Sequence, residues 1–303
     1  MKTIIKKMIG ITLLSIMSIQ LSNAQTAATA KTQYVEINGD KIAYRSFGKG
    51  SPIVLANRMR GTLDTWDPLF LDGLAKTHRV ITFDYPGIGY STGTLPTDMS
   101  KVAKFVKDFT ATIKVQKFAM LGWSWGGFVT QTTLLEYPNS VTHAVLVGTA
   151  PPGIKNDLPI QQKWVERALK PVNNLEDEEI LFFEPDSEFS RRMAKESRDR
   201  IYARPGVVDK IASTMDIFQL FLKGHEKFKE DMNRREELTK TNIPILIICG
   251  DNDTSVPAEH WYKLSGKFKN AQILVYPESG HGPQHQYPEL SAQYIDQFIK
   301  ITK

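Results

Sequence analysis

The chain has 303 residues, 41% of them hydrophobic, with 38 basic and 33 acidic side chains and a net charge of +5 at pH 7. That length and apolar content support a large buried core. Three of the lysines lie in the first 24 residues, and without them the balance falls to +2, which excludes a nucleic-acid footprint.

Lys2, Lys6 and Lys7 precede an apolar run from Met8 to Ile19, and Ser22-Asn23-Ala24 supplies small residues before a cleavage point. Residues 1–24 are therefore expected to be a cleaved export signal, and residues 25–32 a linker. The run of about 12 apolar residues is shorter than the ~20 that span a bilayer, and no cysteine lies near the cleavage point to carry a lipid. The mature protein is expected to be periplasmic or secreted, without stable membrane association.

Short runs rich in β-branched residues then recur from Tyr34 to Ile37, Lys41 to Phe47, Ile53 to Leu55, Val80 to Phe83, Lys117 to Leu121, Ala144 to Val147, Ile245 to Cys249 and Ile273 to Tyr276. They predict eight strands, the first two joined as a hairpin through Asn38-Gly39. Amphipathic stretches intervene at about Asp67 to Lys76, Ser100 to Ile113, Ser124 to Tyr137, Pro257 to Phe268 and Glu289 to Ile301. The alternation predicts an α/β fold, a mostly parallel eight-stranded sheet with helices on both faces, in core segments 33–150 and 236–303. Cys249, the only cysteine, lies in an apolar run, so it forms no intramolecular disulfide and reads as a small buried hydrophobe.

Residues 151–235 break the rhythm. After the Pro151-Pro152-Gly153 turn come only helical patterns, at Gln161 to Leu169, Ser187 to Arg204 and Val207 to Leu222, so this segment is expected to be a helical insertion. It carries 16 basic and 16 acidic residues and the apolar positions Trp164, Leu181, Phe182, Phe183, Phe189, Phe218, Leu220 and Phe221. A neutral, aromatic-rich insertion suits a small, largely uncharged substrate; the same aromatics also serve simply to pack helices together.

Gly122-Trp123-Ser124-Trp125-Gly126 lies where the fifth predicted strand meets a helix. A serine on so sharp a turn has a strained backbone, and glycines two residues to either side let strand and helix pass without Cβ clashes. A serine hydroxyl is a poor nucleophile at neutral pH and needs a base held by a third group. Two later loops supply candidates: Gly250-Asp251-Asn252-Asp253 after the seventh strand and Ser279-Gly280-His281-Gly282 after the eighth.

This order of serine, aspartate and histidine, together with Asp84-Tyr85-Pro86-Gly87-Ile88-Gly89-Tyr90-Ser91 after the fourth strand, resembles the α/β-hydrolase superfamily. The resemblance covers essentially the whole mature chain and implies that the insertion is a cap after strand six. It implies Ser124 as nucleophile, His281 as base and Asp253 as its acid, with Asp251 bracing the loop. It also implies an oxyanion hole formed by the backbone N–H of Trp125 and, from the loop after strand three, of Met59. Relatives often show His-Gly where this chain has Asn57-Arg58, a departure beside the second donor.

Arg58 either contacts a polar group of the substrate or is solvated or paired with an acid. Trp123 and Trp125 either wall the pocket or pack beneath the turn. The resemblance implies a metal-independent esterase that uses no cofactor and whose partner is a small molecule. Cofactor-free haloperoxidases or perhydrolases, proline iminopeptidases, lactonases and carbon–carbon bond hydrolases share the same residues. An aminopeptidase would want a cap carboxylate, for which Glu184 or Glu188 is available. A binding protein on a hydrolase fold is the non-enzymatic alternative. A metal held by His281 and His285 is disfavoured because Gly282-Pro283 is expected to prevent the helix that would align them.

Overall fold

A computed structural model describes residues 25–154 and 158–302; the expected export signal, 1–24, lies outside the described residues. All eight expected strands form: β1 (Gln33–Ile37), β2 (Asp40–Phe47), β3 (Ser51–Ala56), β4 (His78–Phe83), β5 (Phe118–Trp123), β6 (Val141–Val147), β7 (Ile245–Gly250) and β8 (Ala271–Tyr276). They make one sheet in the order β1-β2-β4-β3-β5-β6-β7-β8. β2 is antiparallel to β1 and β4, and the remaining pairs are parallel. Asn38 and Gly39 turn the β1–β2 hairpin with φ of 52° and 89°, the left-handed pair that a two-residue hairpin turn requires.

Every residue of β5 and β7 is buried, as expected for strands covered on both faces. Alternate side chains supply two cores. Val54, Met120 and Leu146 pack on one face with Phe105, Phe109 and Trp125. Ile53, Leu55, Leu121 and Val147 pack on the other with Trp66, Phe70, Trp123 and Phe298. The core helices are α1 (Pro68–Ala75), α2 (Met99–Thr112) and α3 (Trp125–Glu136), with α10 (Glu259–Tyr262), α11 (Pro283–Gln286) and α12 (Pro288–Ile301) after β7.

Between β6 and β7 lie α4 (Gln162–Ala168), α5 (Leu175–Phe182), α6 (Glu188–Tyr202), α7 (Val207–Lys210), α8 (Met215–Glu230) and α9 (Met232–Lys240). The expected helix from Val207 to Leu222 is corrected: it is broken between α7 and α8, where Ile211 is extended and the Ala212 carbonyl accepts from Arg60 Nε at 2.5 Å. The expected helix from Pro257 to Phe268 shrinks to α10, followed by turns that lead to Gly266 at φ 75°. As expected, no helix carries both His281 and His285, because Gly282 between them is non-helical. Pro283 starts the single turn α11, a position where its missing N–H costs nothing. The segment 25–32 lies against the body: Ala27 and Ala30 are buried, Ala27 N–H donates to Asp72, and Arg204 donates to the carbonyls of Ala27 and Ala28.

Candidate active site

The sheet delivers three side chains to one point. β5 ends at Trp123 and α3 begins at Trp125, leaving Ser124 between them at φ 56°, ψ −118°. Its flanking glycines are required by contact: a Cβ on Gly126 would stand 2.0 Å from the Ala56 carbonyl oxygen, and one on Gly122 2.1 Å from that of Gly126. The turn is held by Ser124 N–H donating to the Val147 carbonyl and Gly127 N–H donating to that of Ser124, at 2.9 and 2.8 Å.

His281 Nε2 lies 2.8 Å from Ser124 Oγ, and its Nδ1 lies 2.7 Å from Asp253 Oδ2. The carboxylate only accepts, so Nδ1 carries the proton and Nε2 accepts from the serine hydroxyl. Asp253 is fixed in turn, its Oδ1 accepting the N–H groups of Ser255 and Val256 at 2.8 Å each. The His281 and Asp253 side chains are 1% and 0% exposed, so this interaction is little screened by water. Asp251 faces elsewhere and accepts from Ser279 N–H at 3.1 Å.

Trp123 and Trp125 turn out to be braces on opposite faces of the sheet. Trp123 Nε1 donates to the His281 carbonyl at 2.7 Å and so fixes the loop that carries the imidazole. Trp125 Nε1 donates to the Phe221 carbonyl at 3.0 Å and ties α3 to α8. Neither lines the Ser124 cavity, whose walls include Met59, Trp164, Leu181, Phe182 and Phe218. Four of these five come from the insertion, where helically spaced aromatics gave no signal separating wall from glue. The cavity measures about 40 Å³, room for a few water molecules. A larger surface groove of about 470 Å³ runs along α8 and shares no lining residue with it.

The loop after β3 explains the departure at Asn57-Arg58. Asn57 is fully buried, donates to the Thr62 carbonyl and the Thr65 hydroxyl, and accepts from Arg58 N–H. It holds the loop shape that presents Met59 to the cavity. Asp84, from the segment after β4, braces the same loop by accepting from Leu63 and Tyr90 N–H, and its burial pushes its carboxyl up to about 7. Trp125 opens the 12-residue helix α3, so its N–H has no acceptor within that helix.

The two arginines of this loop differ. Arg60 donates to the carbonyls of Ala168, Lys170, Pro171 and Ala212 and clamps the insertion to the core. Arg58 lines the Ser124 cavity, with its guanidinium 4.4 Å from the Phe182 ring centre and 5.2 Å from that of Trp123. His285 is buried against Trp66 and Trp123, its Nε2 accepts from Asp67 N–H, and burial pushes its pKa down to about 4. Burial pushes the Cys249 thiol up, away from nucleophilic use. Among the described residues no cluster of three or more His, Cys, Asp or Glu is placed to hold a metal.

The alpha/beta hydrolase fold family matches residues 52–288. Proline iminopeptidase PfmaB of Pestalotiopsis fici is 25% identical, over 87% of this chain and 97% of its own length. A pimeloyl-(acyl-carrier protein) methyl ester esterase of Vibrio campbellii is 23% identical, over 79% of this chain and 91% of its own. An alpha/beta hydrolase fold protein from Chitinophaga pinensis has a similar structure, with a TM-score of 0.82 at 29% identity, covering 91% of this chain and 100% of that one.

Proposed function

Because the chain belongs to the alpha/beta hydrolase fold family, we propose that it is an exported serine hydrolase cleaving carboxylic ester or related acyl bonds of a small molecule. The observation that carries this reading is the continuous chain from Ser124 Oγ to His281 at 2.8 Å and from His281 to Asp253 at 2.7 Å. His281 takes the hydroxyl proton as Oγ attacks the acyl carbon, then passes it to the departing alcohol. Water, deprotonated by the same imidazole, releases the acid from Ser124. Asp253 holds the imidazole in the tautomer these steps need and stabilises its charged form.

The oxyanion formed at each attack is assigned to the backbone N–H groups of Trp125 and Met59, aided by the positive end of α3. The aminopeptidase alternative is disfavoured by the cavity: none of its lining residues is Asp or Glu. Glu184 accepts from Asp186 N–H, and Glu188 is exposed. The iminopeptidase and esterase relatives support the acyl-transfer class in common.

The test is hydrolysis of p-nitrophenyl esters of increasing chain length, with prolyl p-nitroanilide alongside. The reading expects ester turnover, short acyl chains favoured, and kcat lower by about 10³-fold or more in Ser124→Ala and in His281→Ala. Preference for the anilide, or unchanged turnover in Ser124→Ala, would reject it.

A further inference from the structure

Arg58 is the residue of the Ser124 cavity that neither the fold nor the acyl chemistry above accounts for. Its Nη1 donates to the Met59 carbonyl at 2.9 Å, while its Nε is buried without a hydrogen-bond partner. No carboxylate forms an ion pair with it among the described residues. Glu178 shares a small cavity with Arg58 but is held by Arg198 Nη1 and the Tyr202 hydroxyl. Phe182 and Trp123 flank the guanidinium, and Arg58 lines the same cavity as Ser124 and His281.

A half-buried cation without an ion-pair partner gains from an anion, and a guanidinium suits a carboxylate. Burial pulls Arg58 down to about 10, with Tyr202 and Glu178 opposing the shift. Arg60, two residues on, shows the contrasting case: its donors are taken up by four carbonyl oxygens.

We propose that Arg58 receives a carboxylate of the substrate, so that the bond cleaved at Ser124 belongs to a short half-ester or acyl derivative of a dicarboxylic acid. The inference rests on the serine-hydrolase reading for the bond that is cleaved, and on Arg58 alone for the charge that is recognised. It replaces the expectation of an uncharged substrate. That expectation came from the balanced charge of 151–235, whereas the cation in the pocket comes from the core loop after β3.

The experiment compares monomethyl glutarate with dimethyl glutarate as substrates of the wild type, Arg58→Gln, Arg58→Met and Arg58→Lys. Glutarate binding to the same proteins and to Ser124→Ala is measured by calorimetry. The wild type is expected to favour the half-ester. Arg58→Gln and Arg58→Met should lower kcat/KM for the half-ester about 10- to 100-fold more than for the diester, the extra loss appearing mainly in KM. Arg58→Lys should recover part of the loss. Glutarate should bind the wild type and Ser124→Ala and lose that affinity in Arg58→Gln.

Equal losses on both esters, or glutarate binding that ignores Arg58, would overturn the proposal. The binding arm stands apart from turnover. If no ester is cleaved yet glutarate binding still depends on Arg58, the serine-hydrolase reading fails and the carboxylate site survives. If esters are cleaved and glutarate does not bind, the reverse holds.

Discussion

Ser124 sits at φ 56°, a left-handed conformation that costs a non-glycine residue of order 1–3 kcal/mol. The strain is held in place by the crossing of α3 over β3 and β5 at Gly126 and Gly122. His285 contributes in another way, as a neutral acceptor for Asp67 N–H between two tryptophans. Its pKa is about 4 in the fold against an ordinary ~6.5. The stability it contributes is therefore complete above about pH 6.5 and is lost as the pH falls through about 4, amounting to about 3 kcal/mol. Asp84, raised to about 7, works in the opposite sense, its contribution being present below about pH 4 and lost as the pH rises to about 7. The difference between wild type and His285→Gln isolates the histidine: urea midpoints measured from pH 7 to 4 should fall more steeply in the wild type. Parallel slopes would contradict the assignment. Ser124 and His281 were legible because glycine-flanked motifs mark them after predicted strands, whereas only the family resemblance singled out Asp253 from Asp251. The state of His285 was not, because it depends on Trp66, Trp123 and Asp67, which sequence spacing does not bring together.

The helices between β6 and β7 are fastened to the core by a few arginines. Arg60 satisfies four carbonyls where α4 ends and where the chain breaks between α7 and α8. Arg200 forms a two-pronged pair with Asp67 that closes to 2.7 Å, and Asp67 also caps α1. Replacing Arg60 with methionine strips donors from buried acceptors, and a stability loss of about 2–4 kcal/mol is expected. Urea unfolding measures that loss, and amide exchange should accelerate in α4 and α8 more than in β5. An unchanged midpoint would show that the carbonyls find other partners. The same contacts explain what the sequence concealed. The pattern from Val207 to Leu222 is apolar at helical spacing, yet the chain turns outward at Ile211 and gives the Ala212 carbonyl to an arginine about 150 residues away. The sheet was readable because its strands are short, buried and bounded by turns; the helix break was not, because its cause is tertiary.

Across the described residues, one mostly parallel sheet separates two cores and carries Ser124, Asp253 and His281 on loops at the carboxyl ends of β5, β7 and β8. No helix among the described residues is long and apolar enough to cross a membrane. The proposed export rests on residues 1–24, and the cleaved product should begin at Gln25. N-terminal sequencing of the protein recovered from the cell envelope or medium checks this; an uncleaved chain confined to the cytoplasm would contradict it. Docking of Ala27 through Asp72 and Arg204 leaves the new terminus held against the body.

Ser124 is the proposed attacking group. The most direct measurement is reaction of the purified protein with a fluorophosphonate, followed by mass spectrometry of the peptide that contains Ser124. A single phosphonyl adduct is expected on Ser124, absent from Ser124→Ala and strongly slowed in His281→Ala. No adduct on the folded protein, or one on another residue that persists in Ser124→Ala, would contradict it.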